Sequence, residues 1–203
     1  MQKNYFGIMS TKQFELYFKN FPGMESERLV LRKLRLNDVD DIFEFTSLPE
    51  TSEILSWYPH SDRNVTRSFV IDIVKKYSKN EASQWAIELR RDKKVIGIAG
   101  FIQFFPEHSR GEMAYVLSPI YQNKGYMTEA LKMVLKYGFN TMKLNRIDAK
   151  CEIDNFSSER VMQKLRMRLE GCFYDFLIRK DRPRTYKFYS ILKNEYMLLY
   201  EEK

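Results

Sequence analysis

The sequence predicts a mixed α/β (α+β) fold: a mostly antiparallel central sheet, one parallel β-α-β unit within it, and flanking helices. Three observations carry that reading. Strand-like runs follow one another closely in SQWAIEL, VIGIAGFIQFF and the segment from Glu112 to Leu117, joined by short turns, as in an antiparallel meander. The strand–helix–strand passage from Glu112 to Ile153 needs a right-handed crossover, which makes its two strands parallel. Beyond it, GCFYDFLIR and RTYKFYSIL read as two further antiparallel strands.

The elements follow in order. Residues 1–24 form an aromatic-rich N-terminal extension (Tyr5, Phe6, Phe14, Tyr17, Phe18, Phe21), set apart from a domain spanning 25–203. The extension lacks strand alternation and suits a short helix packed on the domain or on a second subunit. ERLVLRKL reads as a strand around Arg28 to Leu34. Asn37 has the chemistry of a helix N-cap, with Asp38, Asp40 and Asp41 suited to the positive end of the helix that follows. A second helix is predicted near Arg63 to Ser78, its stripe made of Phe69, Ile73, Val74 and Tyr77. Pro119, which has no N–H to give a ladder, ends the strand from Glu112. From Tyr126 to Phe139, Met127, Ala130, Leu131, Val134 and Leu135 recur at helical spacing. RIDAKCEI is a strand, and DNFSSERVMQKL a helix begun at Asp154 or Asn155.

Composition narrows the function. With 44% hydrophobic and 15% aromatic residues in 203, the chain can bury a sizeable core. No apolar run is long enough to span a bilayer, and MQKNYFGIMSTKQF lacks the continuous apolar block of a signal peptide, so a cytoplasmic location is expected. Cys151 and Cys172 have no metal-ligand spacing and read as two reduced, packed thiols; His60 and His108 stand apart, so no metal site is expected. The excess of 34 basic over 27 acidic residues, +7, favours an anionic ligand. The basic residues are scattered and match no nucleic-acid-binding motif, so direct nucleic-acid binding is not expected.

The stretch SPIYQNKGYMTEAL, Ser118 to Leu131, raises the functional question. Gly125 permits positive φ or a close backbone approach, and the helix after it opens with unpaired N–H groups. Successive amides in such a turn can cradle an anion, aided by the helix dipole and by Lys124. Neither GxxxxGK[ST] nor GxGxxG is present.

The segment resembles the acetyl-coenzyme A loop of the GNAT N-acetyltransferase superfamily, Q/R-x-x-G-x-G/A. Gln122 and Gly125 match, while Met127 departs from the last position. RLVLRKLRLNDVDDIFEF, DNFSSERVMQKL and YSILKNEY are similar, in that order, to the opening, the D-N-x-x-S helix and the closing strand of the branch that acetylates ribosomal-protein N-termini. The resemblance covers about Glu27 to Tyr196. It implies that the two parallel strands splay apart around the pantetheine arm. Backbone groups of Val116, Leu117 and Ser118 would then bond the arm, and the pyrophosphate would lie over Lys124, Gly125, Tyr126, Met127 and Thr128, with Gln122 and Asn123 beside it. Asn155 would face the pantetheine amides, and Arg160 and Lys164 the adenosine phosphate.

The same resemblance implies the chemistry. Glu112 is the candidate base, through water, and Ser158 the hydroxyl that bonds the departing thiolate, because Met162 stands where many members carry an acidic tyrosine. Arg166 occupies a position that is commonly glycine. The implied partners are acetyl-CoA and an amine acceptor such as a ribosomal-protein N-terminus, in a monomer or homodimer. Competing readings are an acetyltransferase for a small amine (polyamine, amino acid or aminoglycoside) and a non-enzymatic acyl-CoA sensor.

Overall fold

The computed structural model describes residues 21–53, 55, 57–79, 81 and 84–200. Most of the N-terminal extension therefore lies outside the described residues. Among the described residues, eight strands form one sheet: β1 (Met24–Glu25), β2 (Leu29–Arg32), β3 (Gln84–Leu89), β4 (Val95–Phe105), β5 (Arg110–Leu117), β6 (Arg146–Glu152), β7 (Arg168–Arg179) and β8 (Arg182–Leu192). Their order is β1-β2-β3-β4-β5-β6-β8-β7. Every neighbouring pair is antiparallel except β5 and β6.

Helices α1 (Val39–Thr46), α2 (Pro49–Ser52) and α3 (Arg63–Ser78) precede β3; α4 (Tyr126–Lys136) crosses over from β5 to β6; α5 (Phe156–Lys164) leads to β7; α6 (Lys193–Tyr200) closes the described chain. The helix α4 and the wider π-type turn after it, Tyr137–Thr141, sit on one face of the sheet. There Trp85 meets Tyr137 edge-on at 5.5 Å. Gly138 lets the turn lie close on β4 and β6, since a Cβ at its position would fall 2.7 Å from Ile147 Cδ1 and 2.9 Å from Phe101 Cζ. The helix α5 shares this face, its Glu159 accepting hydrogen bonds from Lys187 and Tyr189 of β8. The start of α1 is tied to the other face, where Arg32 reaches both Glu88 on β3 and Asp38. Phe21 belongs to the core, stacked on Trp85 with ring centroids 4.1 Å apart.

Long periodic segments fold where the pattern puts them: α3 and β4 take the predicted spans. The buried stripe of α3 is Thr66, Val70, Ile73 and Tyr77, rotated slightly from the expected one, so that Phe69 and Val74 are only partly buried. Several local expectations are corrected. Asn37 does not cap α1. A short 3-10 turn, Leu36–Asp38, leads into that helix, and the Asp38 carboxylate accepts from the Arg35 N–H at 2.7 Å while a bidentate pair with Arg32 holds it in place. Of the two positions offered for the start of α5, Asn155 is the cap. The segment YSILKNEY is strand only to Leu192; α6 begins at Lys193, with Glu195 accepting from the Leu192 N–H at 2.8 Å and Tyr196 stacked on Phe139. Cys151 is buried, and burial pushes its thiol up to about 12. Cys172 is exposed on the edge strand β7 and is not a packed thiol.

Arg166 explains its own peculiarity. It leaves α5 in the left-handed region, φ 58°, with its N–H bonded to the Gln163 carbonyl at 2.9 Å. This is the helix exit that glycine makes without a Cβ clash. Arg166→Gly is expected to stabilise the fold by about 1 kcal/mol. Thermal unfolding would then move up by about 2–4 °C; an unchanged or lower midpoint would contradict this account of the exit.

Candidate active site

The site begins where two strands part. β5 and β6 pair only at Arg110–Arg146, Gly111–Ile147 and Glu112–Asp148. Beyond Glu112, β5 follows β4 as far as Leu117, while β6 follows β8 as far as Glu152. The Ser118 N–H donates to the Ile96 carbonyl on β4 at 2.8 Å. In an antiparallel ladder such bonding alternates, so Val116 also faces β4, and the backbone groups of Tyr115 and Leu117 face the gap. This corrects the expectation for two of the three residues: the backbone of Val116 is turned to β4 although the residue lines the cavity, and Ser118 is buried with its amide engaged and does not line it. The Leu117 carbonyl accepts from Gln122 Nε2 at 3.3 Å.

The gap opens into a cleft of about 990 Å³, solvent mouth included, floored by Tyr115, Val116 and Leu117. One wall is the turn at the start of α4: Gln122, Asn123, Gly125, Tyr126, Met127 and Thr128. Gly125 has φ 81° and Asn123 φ 60°, so the turn uses left-handed backbone twice. The first intrahelical bond runs from the Glu129 N–H to the Gly125 carbonyl, which leaves the amides before it without partners within the helix. Met127 does not obstruct the turn, because its side chain is buried in the core. Lys124 behaves otherwise than expected: its ammonium bonds the Ile120 carbonyl at 2.9 Å and does not line the cleft. Arg28 braces the turn from the β1–β2 loop. It donates to the Lys124 carbonyl at 3.1 Å, pairs with Glu129, and lies 4.5 Å from the centre of the Tyr126 ring.

The opposite wall is α5, which contributes Asn155, Ser157, Ser158, Arg160, Val161 and Lys164. Asn155 Oδ1 accepts from the Ser158 N–H at 3.0 Å, so Asn155 does the capping and the Ser158 hydroxyl is not spent on it. That hydroxyl lies 2.7 Å from the phenol of Tyr115, across the gap. Arg160 and Lys164, one helical turn apart and exposed, put two cations at the cleft wall. Thr51 and Leu55, from α2 and the loop after it, line the cleft as well.

Glu112 is elsewhere. It is buried on the last parallel rung and paired with Lys150 at 2.5 Å. Lys150 projects from the same side of β6 as Asp148, which meets Arg110 and Arg146. Glu112 therefore belongs to the face of β5 opposite Tyr115, and it does not line the cleft. Of the residues singled out from sequence, the fold gathers Val116, Leu117, Gln122, Asn123, Gly125, Tyr126, Met127, Thr128, Asn155, Ser158, Arg160 and Lys164 around one cavity. Lys124, Ser118 and Glu112 lie outside it. Sequence reasoning missed Tyr115, Thr51, Leu55, Ser157 and Val161. For Tyr115 a signal existed, since it shares a strand face with Leu117, which ends at the turn. Among the described residues, no cluster of three or more His, Cys, Asp or Glu side chains is arranged to hold a metal.

Comparison with known proteins agrees with this geometry. A profile of the acetyltransferase (GNAT) domain matches residues 28–168. The uncharacterized N-acetyltransferase p20 of Bacillus licheniformis is 32% identical over 84% of this chain and 96% of its own. A solved acetyltransferase (GNAT family) from Bacillus anthracis superposes with a TM-score of 0.78 and 32% identity, covering 86% of this chain and all of the other. More distant relatives diverge in acceptor. A ribosomal-protein-serine acetyltransferase of Escherichia coli (strain K12) is 26% identical over 72% of this chain and 83% of its own. A spermidine N(1)-acetyltransferase of the same organism is 28% identical over 43% of this chain and 47% of its own. With the single parallel pair, the diverging strands and the turn that opens α4, these matches show that the chain belongs to the GNAT family and is an N-acetyltransferase that uses acetyl-CoA.

Proposed function

We propose that the acceptor is the α-amine of a protein or peptide N-terminus, as in the ribosomal-protein type. The observation that carries this reading is the charge on the sheet face opposite the cleft. With acetyl-CoA between α4 and α5, that face is the one left for an amine to reach a carbonyl in the gap. Its carboxylates are already matched: Glu112 by Lys150, Asp148 by Arg110 and Arg146, Glu152 by Arg179. A polycation such as spermidine would have to displace these cations, whereas a peptide N-terminus brings one amine and a neutral backbone. An α-amine is also the easier nucleophile, about a tenth neutral at pH 7 against less than about a thousandth for lysine.

In this reading the unpaired amides at the start of α4 take the pyrophosphate, and the backbone of Tyr115 and Leu117 takes the pantetheine amides in place of a β-strand partner. The free carboxamide nitrogen of Asn155 supports the arm, and Arg160 and Lys164 meet the adenosine phosphate. The Ser158 hydroxyl bonds the departing sulfur. Glu112 takes the amine's surplus proton through water from the far face, with Lys150 holding the carboxylate in place.

The acceptor is tested by thiol release from acetyl-CoA against peptides with free N-termini, N-terminally blocked lysine peptides, and spermidine. Free N-termini should give kcat/KM values at least about tenfold above the others, since that is a modest 1.4 kcal/mol preference; a preference for spermidine would overturn the proposal. Glu112→Gln should retain acetyl-CoA binding and lower kcat by about tenfold to ten-thousandfold. A mutant as fast as the wild type would reduce Glu112 to half of a buried ion pair.

A further inference from the structure

We propose that Tyr115 is a positioning residue for acyl transfer, its phenol turning the Ser158 hydroxyl proton towards the sulfur of the cofactor. The proposal rests on the acetyl-CoA reading of the cleft and deepens it. Tyr115 reaches across the divergence of β5 and β6, where its Oη lies 2.7 Å from Ser158 Oγ and 3.1 Å from the Ser158 carbonyl oxygen. A phenol has one proton, and these are two acceptors. When the proton points at the carbonyl, the short contact with Oγ has to be made by the serine's own proton. When it points at Oγ, the serine's proton is released towards the cleft, which both residues line. The exchange takes only a concerted rotation of the two hydroxyls, one about the Tyr115 Cζ–Oη bond and one about the Ser158 Cβ–Oγ bond.

Burial keeps the phenol protonated by raising its pKa, so Tyr115 remains a donor throughout the working range of pH. The serine hydroxyl is free to respond because Asn155 satisfies the Ser158 N–H. In the reaction the C–N bond forms as the C–S bond breaks, and the electron pair of that bond stays on sulfur. The amine gives its surplus proton to the base and water, and water reprotonates the thiolate. Tyr115 and Ser158 keep their protons throughout; they stabilise the thiolate by a hydrogen bond aimed before the charge develops. Met162, which stands where many family members carry a tyrosine, is fully buried in the core beneath α5, so the phenol at this site comes from the strand instead.

The test needs no acceptor. Coenzyme A is bound to the protein, and its thiol is titrated by ultraviolet thiolate absorption; binding is measured on the same samples by calorimetry. The wild type should lower the pKa of the bound thiol by about one unit, a tenfold rise in thiolate at a given pH. Tyr115→Phe, which removes only the oxygen, should return most of that shift while leaving the dissociation constant of coenzyme A within about twofold. Ser158→Ala should do the same, and the double mutant should lose no more than Ser158→Ala alone, because the phenol acts through the serine. Tight binding with an unshifted thiol in the wild type, an unchanged titration in Tyr115→Phe, or additive losses would each overturn the inference. A wild type that does not bind coenzyme A would overturn the reading of the cleft itself, and with it the inference.

Discussion

The arrangement depends on how early the parallel ladder ends. After the Glu112–Asp148 rung, β5 and β6 are each claimed by an antiparallel partner on the outer side, β4 and β8, and among the described residues neither has a strand on the inner side. A strand edge inside a sheet presents N–H and C=O groups that need partners. The interior of the protein is built around that need. α4 delivers its N-terminus to one end of the gap and α5 closes the side, joined to β5 through Tyr115 and Ser158. An extended molecule with amide groups and an anionic end is complementary to such a slot, and the pantetheine arm and pyrophosphate of acetyl-CoA have that form.

Sheet faces divide the proposed chemistry. Tyr115 and Leu117 look towards α5 and the cleft, whereas Glu112 sits among the ion pairs of the opposite face. A thioester in the gap would be open to the leaving-group side from one face and to the nucleophile from the other. In the proposed reading this division would give Glu112 a route to the reaction although it does not line the cleft. In that reading the cations paired with Asp148, Glu112 and Glu152 would shape what can approach. The buried pair of Arg179 with Glu152 does more, because Arg179 also donates to the Leu55 carbonyl and so ties the loop after α2 to the β7–β8 hairpin. Removing either partner of such a pair would leave a buried charge exposed to its full desolvation cost.

Much of this was legible in the sequence because it is local. The spans of α3 and β4 follow from periodicity, and Gly125 announces the left-handed turn before α4. The Gln122 and Gly125 pattern, read with the Asp154–Asn155 helix, placed most of the cavity wall. What escaped depends on how side chains and backbone turn in space, towards partners both near and distant in sequence. Asn37 lost the cap because Asp38 is fixed by Arg32 across the chain reversal. Lys124 does not line the cleft, since its ammonium turns back to the Ile120 carbonyl. Tyr115 reads as an ordinary strand aromatic until α5 is packed against it, and α6 is anchored by the packing of Tyr196 on Phe139. Backbone direction is equally hidden: only the bond from Ser118 to Ile96 reveals which β5 amides face the gap.

The most direct test of the open strand edge is residue-resolved amide hydrogen exchange with and without saturating acetyl-CoA. The amides of Tyr115 and Leu117 should exchange quickly in the free protein and become protected on binding, while those of Val116 and Ser118, already turned towards β4, should change little. Equal protection of all four amides, or none at Tyr115 and Leu117, would contradict the claim that the cofactor completes the sheet where β5 and β6 part.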